Sequence, residues 1–536
     1  MKISENSAKR AMIFSFVTIA LLFIFRSLEQ TPDSLSYATA VRSGEGMFHP
    51  HHILFAPAVK GVYLMISAFC TSCNVILAAQ IHNILWASLA IGGGYLAVYR
   101  FTGATFTAGM VSSLLAVSNG FWLFSTQAEV YVPATAPLIL LTPLLAGEGH
   151  KMDASRKIVA IFLLSLAVLY HQSNVLFCIP LFFLMSGESG MERLKAFLSI
   201  VLPAGMLVLL FYLGVFLSSG GGFSLARFVS FCIPYASHPN PEWGTSANFS
   251  ILGAGRLVDS QLRDLIHIPE GTSIFRYAAV GLFSLFMLTL SGLAVYFLKL
   301  GKISQNQISF PVVWLFTYYL FNLWWLPGEE ELFISTIFPL LLLAGTVLKS
   351  VCETFLDAES TRRTQYLLIA ATVAIGVVNF TTTILPRSGD RGELYREAEA
   401  INDLSRNECA VIAGYGAVQN LSYYFDKKNA DEIEAPLLSI YRFGRPDRTL
   451  LSAEAGCLIV PAKYLSPSYS VAGYSGLADP PGWLKLVEWI LGIEYLDNGD
   501  ITRYRFVRRG ASGEYLVITP HERDKDVLKR LLLKLG

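Results

Sequence analysis

The sequence predicts a polytopic α-helical membrane protein, with about eleven membrane-spanning helices and a C-terminal soluble α/β domain. Three observations predict it. Charged residues make up only 15% of the chain, whereas a soluble globular protein needs about 25% to cover its water-facing surface. Hydrophobic residues make up 53%, and the mean hydropathy is +0.49. The charge is also unevenly placed, sparse from Ala11 to about Leu385 and of ordinary density from Arg387 to Gly536. The chain therefore divides near Pro386 into a transmembrane region, 1–386, and a soluble domain, 387–536.

The apolar runs expected to span are about 11–27, 76–99, 103–118, 131–147, 158–170, 173–186, 197–217, 274–298, 309–326, 332–348 and 365–385. The first follows MKISENSAKR and could pass for a signal peptide, but no small-residue cleavage site closes it. It reads as a retained helix. The run His52–Phe69 is also apolar, yet it follows Pro50 and His51 and contains Pro57 and Lys60. Read as a helix lying against the outer face, it places Lys2, Lys9, Arg10, Arg100, Arg156, Lys157, Arg193, Lys195, Lys299, Lys302, Arg362 and Arg363 on the cytoplasmic side. That is the positive-inside arrangement. It also makes 158–186 two short helices that rise and return, with the polar Tyr170–Asn174 at an outer turn.

On this topology the outer (periplasmic) face of the inner membrane receives the loops 28–52, 119–131 and 218–273, the turn at His171, Glu329–Glu331 and the C-terminal domain. Any chemistry belongs there. The first loop offers Asp33, Tyr37 and the histidines His49, His51 and His52. Asp33 suits a general base or a metal ligand, and equally a cap for a helix starting near Ser34. The histidines suit metal or phosphate, or a place among lipid headgroups, but HPHH is not the spacing of a single-helix zinc site. Glu129, at the mouth of a span, needs a partner or a task unless water reaches it. His171 is a phosphate-site candidate or a hydrogen-bonded residue at a helix break. Arg256 and Arg263 are phosphate partners or solvated loop charges. Glu329–Glu331 suit either repulsion of phosphate or, the reading preferred, a cap for a helix beginning near Leu332.

The order of a first helix, an outer acid, a Pro- and His-containing juxtamembrane helix, two spans and a second outer acid resembles the GT-C superfamily of membrane glycosyltransferases. FWLFSTQAEVYVP is similar to the branch with protein O-mannosyltransferase-like and aminoarabinose transferase-like layouts. YHQSNVLF resembles the turn where relatives place a cation near the lipid phosphate, and FNLWWLPGEEELFISTIFPLLLL an aromatic and acidic turn before a late span. The likeness is strongest over residues 1–185 and around 321–345. It implies an inverting hexosyl- or pentosyltransferase that uses a polyprenyl-phosphate-linked sugar donor and a glycan, lipid or protein acceptor. Asp33 matches the first-loop catalytic acid, and Glu129 the second-loop acid that positions acceptor or metal. His171 matches the position near the donor phosphate, with His51, His52, Tyr37 and Arg256 as further substrate-binding candidates. A single acid stands at each of these two places, without a DxD, so a divalent metal on Asp33 and Glu129 stays open. The rival readings are a flippase for lipid-linked oligosaccharide and a non-catalytic envelope scaffold. A flippase predicts ionisable residues near the midplane and internal repeats, and neither is evident.

In the C-terminal domain ECAVIAG, GCLIVPAKY, the segment around ITRYRFVRR and YLVITP read as strands. YGAVQNLSYYF, WLKLVEWILGIEYL and HERDKDVLKRLLLKLG read as helices. AGYGAVQ is not a GxGxxG, so no nucleotide site is expected. Cys409 and Cys457 could pair in an oxidising compartment, whereas the lone CxxC of Cys70 and Cys73 has no zinc-finger partners. A net charge of +1, without a basic run, excludes nucleic acid as a partner.

Overall fold

A computed structural model describes residues 4–427, apart from 71, 147–151, 186–188, 220–222, 234–243, 269–272 and 406–408, together with 430–432, 457–461, 504–508 and 514–518. The chain forms two compact units, residues 1–27 with 40–389 and residues 28–39 with 390–536. The segment 28–39, with Asp33 and Tyr37, thus clusters with the C-terminal region.

The first unit begins with helix α1 (Glu5–Ile24), capped by the Ser4 side chain, which accepts from the Ser7 amide. Helix α2 (Pro32–Ser43) and a 3-10 turn at Pro50–His52 lead into α3 (Phe55–Ser67). At 13 residues, α3 is about 20 Å long, short of the ~30 Å hydrocarbon layer. Then come α4 (Val75–Thr102), α5 (Thr105–Val117), α6 (Asn119–Thr126), α7 (Tyr131–Leu145) and α8 (Ala154–Tyr170). Asn74 caps α4 and Asp153 caps α8, and Gly103 at φ +70° closes α4. A 3-10 turn at Gln172–Phe177 joins α8 to α9 (Cys178–Leu184). The remainder is α10 (Gly190–Ser218), α11 (Leu225–Cys232), α12 (Ile251–Leu265), α13 (Ser273–Lys299), α14 (Gln305–Trp325), α15 (Ile334–Phe355), α16 (Ala358–Asn379) and α17 (Leu385–Gly389).

Among the described residues, six helices are long and apolar enough to cross a membrane: Glu5–Ile24, Val75–Thr102, Gly190–Ser218, Ile274–Lys299, Glu330–Phe355 and Ala358–Leu404. The bent pair α5 and α6, with a 58° break, would make a seventh. Each other expected span coincides with a helix that falls short in length or apolarity. The protein is a multi-pass membrane protein.

Two spans are the packing centre. Val75–Thr102 is 72% buried and Glu330–Phe355 78%, whereas Ile274–Lys299 is 17% buried and turns its apolar side chains outward. Lipid solvates such a face, so outward Leu and Phe side chains carry no penalty there. A Cβ on Gly92 would lie 2.3 Å from Ser15 Oγ and 3.2 Å from the Ala11 carbonyl oxygen. The missing side chain lets α1 and α4 touch.

The second unit contains α18 (Glu393–Ser405) and α19 (Tyr415–Phe425). Its five-stranded sheet uses β1 (Cys409–Ala413), β2 (Ala430–Glu432), β3 (Cys457–Pro461), β4 (Tyr504–Arg508) and β5 (Glu514–Ile518), in the order β2-β1-β3-β5-β4. β1 runs parallel to β2 and β3, while β5 is antiparallel to both β3 and β4. The expected helices WLKLVEWILGIEYL and HERDKDVLKRLLLKLG lie outside the described residues. Cys409 is disulfide-bonded and has Cys457 as its register partner. Cys70 and Cys73 also form a disulfide.

Candidate active site

Helix α8 stops because His171 turns to extended backbone, at φ −155° and ψ 118°. Its side chain then starts the following 3-10 turn, since Nδ1 accepts from the Ser173 amide at 3.3 Å and bonds the Ser173 hydroxyl at 2.7 Å. An Nδ1 that accepts a backbone N–H cannot itself carry the proton. The neutral ring is therefore the Nε2–H tautomer.

Around it stands a cluster of rings. His171 lies 4.8 Å from His52 and 5.5 Å from Tyr131, between ring centroids, and His49 lies 5.5 Å from His52 and 5.7 Å from His51. Burial, and then the nearby His49, push the His51 imidazole down to about 4. Burial, followed by His51 and His49, pushes His171 to about 3. His52 is lowered well below the usual histidine range by burial first and then by the other three. Desolvation and mutual repulsion both lower these three imidazoles, so His51, His52 and His171 are neutral at neutral pH. The turn therefore presents a neutral donor where the sequence resemblance implied a cation.

Tyr131, the first residue of α7, donates its hydroxyl to Glu331 at 2.5 Å. Glu331 belongs to a 3-10 turn, Glu330–Phe333, that precedes α15. Capping does not describe these acids. No side chain caps that turn or α15, because Glu330 is drawn into an ion pair with Arg263 and Glu331 is taken by Tyr131. Both partners are stronger than an exposed helix end. His171, Tyr131 and Glu331 line a narrow cleft of about 20 Å³ with Asn174, Tyr318 and Asn322. Asn174 holds the floor: Nδ2 donates to the carbonyls of Ala134 and Ala167, at 2.9 and 3.0 Å, and Oδ1 accepts from Tyr318 at 2.9 Å.

Beside the turn runs an apolar groove of about 450 Å³, lined by residues of α8, α9 and α10 and reached by Gln172. Gln172 is fixed by bonds to the Tyr212 hydroxyl, 3.0 Å, and the Cys232 carbonyl, 2.7 Å. A polar donor next to an apolar trough is the chemistry that an amphiphile with a charged head requires.

Glu129 is fully buried, at 0% exposure, so it is not a carboxylate left in water. Its backbone is pinned by the Asn83 amide, which donates to the carbonyls of Gln127 at 2.8 Å and Glu129 at 2.6 Å. Behind Asn83, His82 Nδ1 meets Asn83 Oδ1 at 2.9 Å, while Nε2 takes the Trp86 N–H at 3.2 Å and meets the Tyr170 hydroxyl at 2.8 Å. One polar stripe on α4 therefore fixes both the Glu129 loop and the residue before His171.

Asp33 and Tyr37 lie in the second unit. Asp33 accepts a hydrogen bond from the Tyr415 hydroxyl at 3.0 Å, at the start of α19. The close approach depends on Gly416, where a Cβ would lie 3.3 Å from Pro32. Arg256 is exposed on α12, whereas Arg263 is engaged by Asp259 at 3.2 Å and by Glu330. The sequence reading thus named His171, His51 and His52, which come together, but passed over Tyr131 and Glu331. Their signal was there, an acid triplet after GEE-rich aromatic turns and a Tyr two residues beyond Glu129, but both have ordinary interfacial explanations. Among the described residues, no group of three or more His, Cys, Asp or Glu could hold a metal ion.

No protein-family model and no curated protein matches the sequence. Solved structures match the fold. The crystal structure of the Archaeoglobus fulgidus oligosaccharyltransferase, in complex with Zn and sulfate, aligns with a TM-score of 0.50 at 12% identity, over 95% of this chain and 73% of that one. The crystal structure of ArnT from Cupriavidus metallidurans, bound to undecaprenyl phosphate, aligns with a TM-score of 0.48 at 11% identity, over 95% of this chain and 98% of that one. This chain shares its fold with the archaeal oligosaccharyltransferase.

Proposed function

We propose that the protein is an inverting membrane glycosyltransferase that moves one sugar from a polyprenyl-phosphate donor to an acceptor hydroxyl on the outer (periplasmic) face. The observation that carries this reading is the placement of His171. It holds an Nε2–H donor in a polar cleft, while its neighbour Gln172 reaches an apolar groove. That is what a phosphate on an isoprenoid chain needs. The fold shared with the archaeal oligosaccharyltransferase agrees with it.

In the proposed step Asp33 takes the proton from the acceptor hydroxyl as its oxygen bonds to the anomeric carbon. The bond from that carbon to the phosphate oxygen breaks, and its electron pair leaves on the lipid phosphate. His171 Nε2–H, with His51 and His52 beside it, donates to that departing oxygen. Direct displacement inverts the anomeric centre. Glu129, held by Asn83, positions the acceptor, and Tyr37 and Arg256 contribute to substrate binding. We read the shorter helices α7, α8, α9 and α14 and the bent α5–α6 pair as completing eleven spans, since they lie among longer ones. The disulfides at Cys70–Cys73 and Cys409 fall in segments assigned to the outer side, where an oxidising compartment would keep them.

The test is sugar transfer from a labelled polyprenyl-phosphate donor by wild type, Asp33→Asn and Glu129→Gln. Transfer by wild type, with loss in Asp33→Asn, supports the reading. Full activity in both variants would overturn the residue assignments, and no turnover with any polyprenyl donor would favour a flippase or a scaffold.

A further inference from the structure

The proposed reaction leaves unexplained a chain of alternating charges that runs from α13 through α12 to the Glu330–Phe333 turn. Arg276, in the first turn of α13, bonds Asp259 of α12 through Nε at 2.8 Å. Asp259 also pairs with Arg263, one turn further along α12, at 3.2 Å. Arg263 reaches out of the helix to Glu330 and bonds the Gly328 carbonyl at 3.4 Å. Arg263 is 23% exposed and Glu330 27%, so solvent screens this pair only in part. The next residue, Glu331, receives the Tyr131 hydroxyl, and the Tyr131 ring lies against His171.

Without the Arg263 cation, carboxylates dominate the surroundings of Glu330. Asp259 lies on α12, Glu329 and Glu331 flank Glu330 in sequence, and Arg276 is the one cation left in the chain described above. The Glu330–Phe333 turn would shift, and Glu331 with it.

We infer that Arg263 is a positioning residue, whose bridge to Glu330 holds the 330–333 turn so that Glu331 sets Tyr131 against His171. This rests on the glycosyltransferase reading for its catalytic consequence, but not for its structural one. His171 acts on the leaving phosphate, so the loss should fall on kcat more than on the donor KM.

The experiment uses the full chain in lipid nanodiscs. Arg263→Gln should lower kcat about tenfold with little change in donor KM, Arg263→Lys should retain most activity, and Arg263→Gln/Glu330→Gln should recover most of the loss. A residue that only packs the helix would not be rescued by that second change. Wild-type kcat in Arg263→Gln, or a double variant no better than the single one, would overturn the proposal. Carbethoxylation of His171, read by mass spectrometry, tests it independently of turnover. The rate should rise in Arg263→Gln and return in the double variant, and an unchanged rate overturns the proposal. An inactive wild type combined with the expected labelling pattern would instead sink the glycosyltransferase reading alone. If Arg263→Gln does not fold, the double variant and Arg263→Lys carry the test, with wild-type labelling expected in both.

Discussion

At the scale of single residues, the site is built from buried polar groups held by specific hydrogen bonds. Asn83 Nδ2 serves the carbonyls of Gln127 and Glu129 together. Replacing it with Ala leaves both buried acceptors short, at a cost of about 1–3 kcal/mol. Thermal unfolding in detergent should show it, and the Glu129 loop should be the first region to lose hydrogen-exchange protection. The histidine cluster predicts an acid limb to stability. His51 and His171 sit at about 4 and about 3 when folded, below the ~6.5 of an unfolded histidine. The unfolded chain therefore binds more protons as pH falls through 6.5 towards 4, and stability is lost over that window. His171→Gln, scanned from pH 7 to 4, should show a shallower loss than wild type. Asp264 has the opposite sign. Burial, and then Glu330, raise its carboxyl well above the usual range, with Arg263 opposing. The folded state keeps the proton that an unfolded carboxylate releases, so its penalty grows as pH rises from about 4 through the folded value. Asp264→Asn should match or exceed wild-type stability at pH 8 in a thermal melt. Greater loss in Asn than in wild type there would contradict this.

Elements explain why some of this was legible in the sequence and some was not. The break after Tyr170 could be read because five polar residues interrupt an apolar run, and the structure ends α8 there with His171 as the pivot. α3, with 13 residues, is too short to cross the hydrocarbon layer as a straight helix. The acids at 329–331 were misread because local rules favour capping, whereas their partners, Arg263 and Tyr131, lie 67 and 200 residues away in sequence. No periodicity reports contacts of that separation. The same limit hid the packing of α1 on α4. Gly92→Val should force the two apart, since its Cβ would meet Ser15 Oγ at 2.3 Å, at about 1–3 kcal/mol for overpacking. A lowered melting temperature in detergent, with the outer cleft unchanged, is the expected result.

For the whole molecule, composition sets an apolar region against a charged one, because lipid and water select residues so differently. The grouping of residues 28–39 with 390–536 was not visible in that contrast, since the short loop has too few residues to carry a compositional signal. Its consequence is functional: Asp33 is held by Tyr415, so the C-terminal region contributes to the environment of the proposed base. The account as a whole stands on transfer chemistry. The most direct test is release of free polyprenyl phosphate from a labelled polyprenyl-phosphate sugar, measured in proteoliposomes for wild type and Asp33→Asn. The account predicts acceptor-dependent release by wild type and a fall of about 10²–10⁴-fold in the variant. Equal release by both proteins, or none by wild type with any such donor, would contradict it.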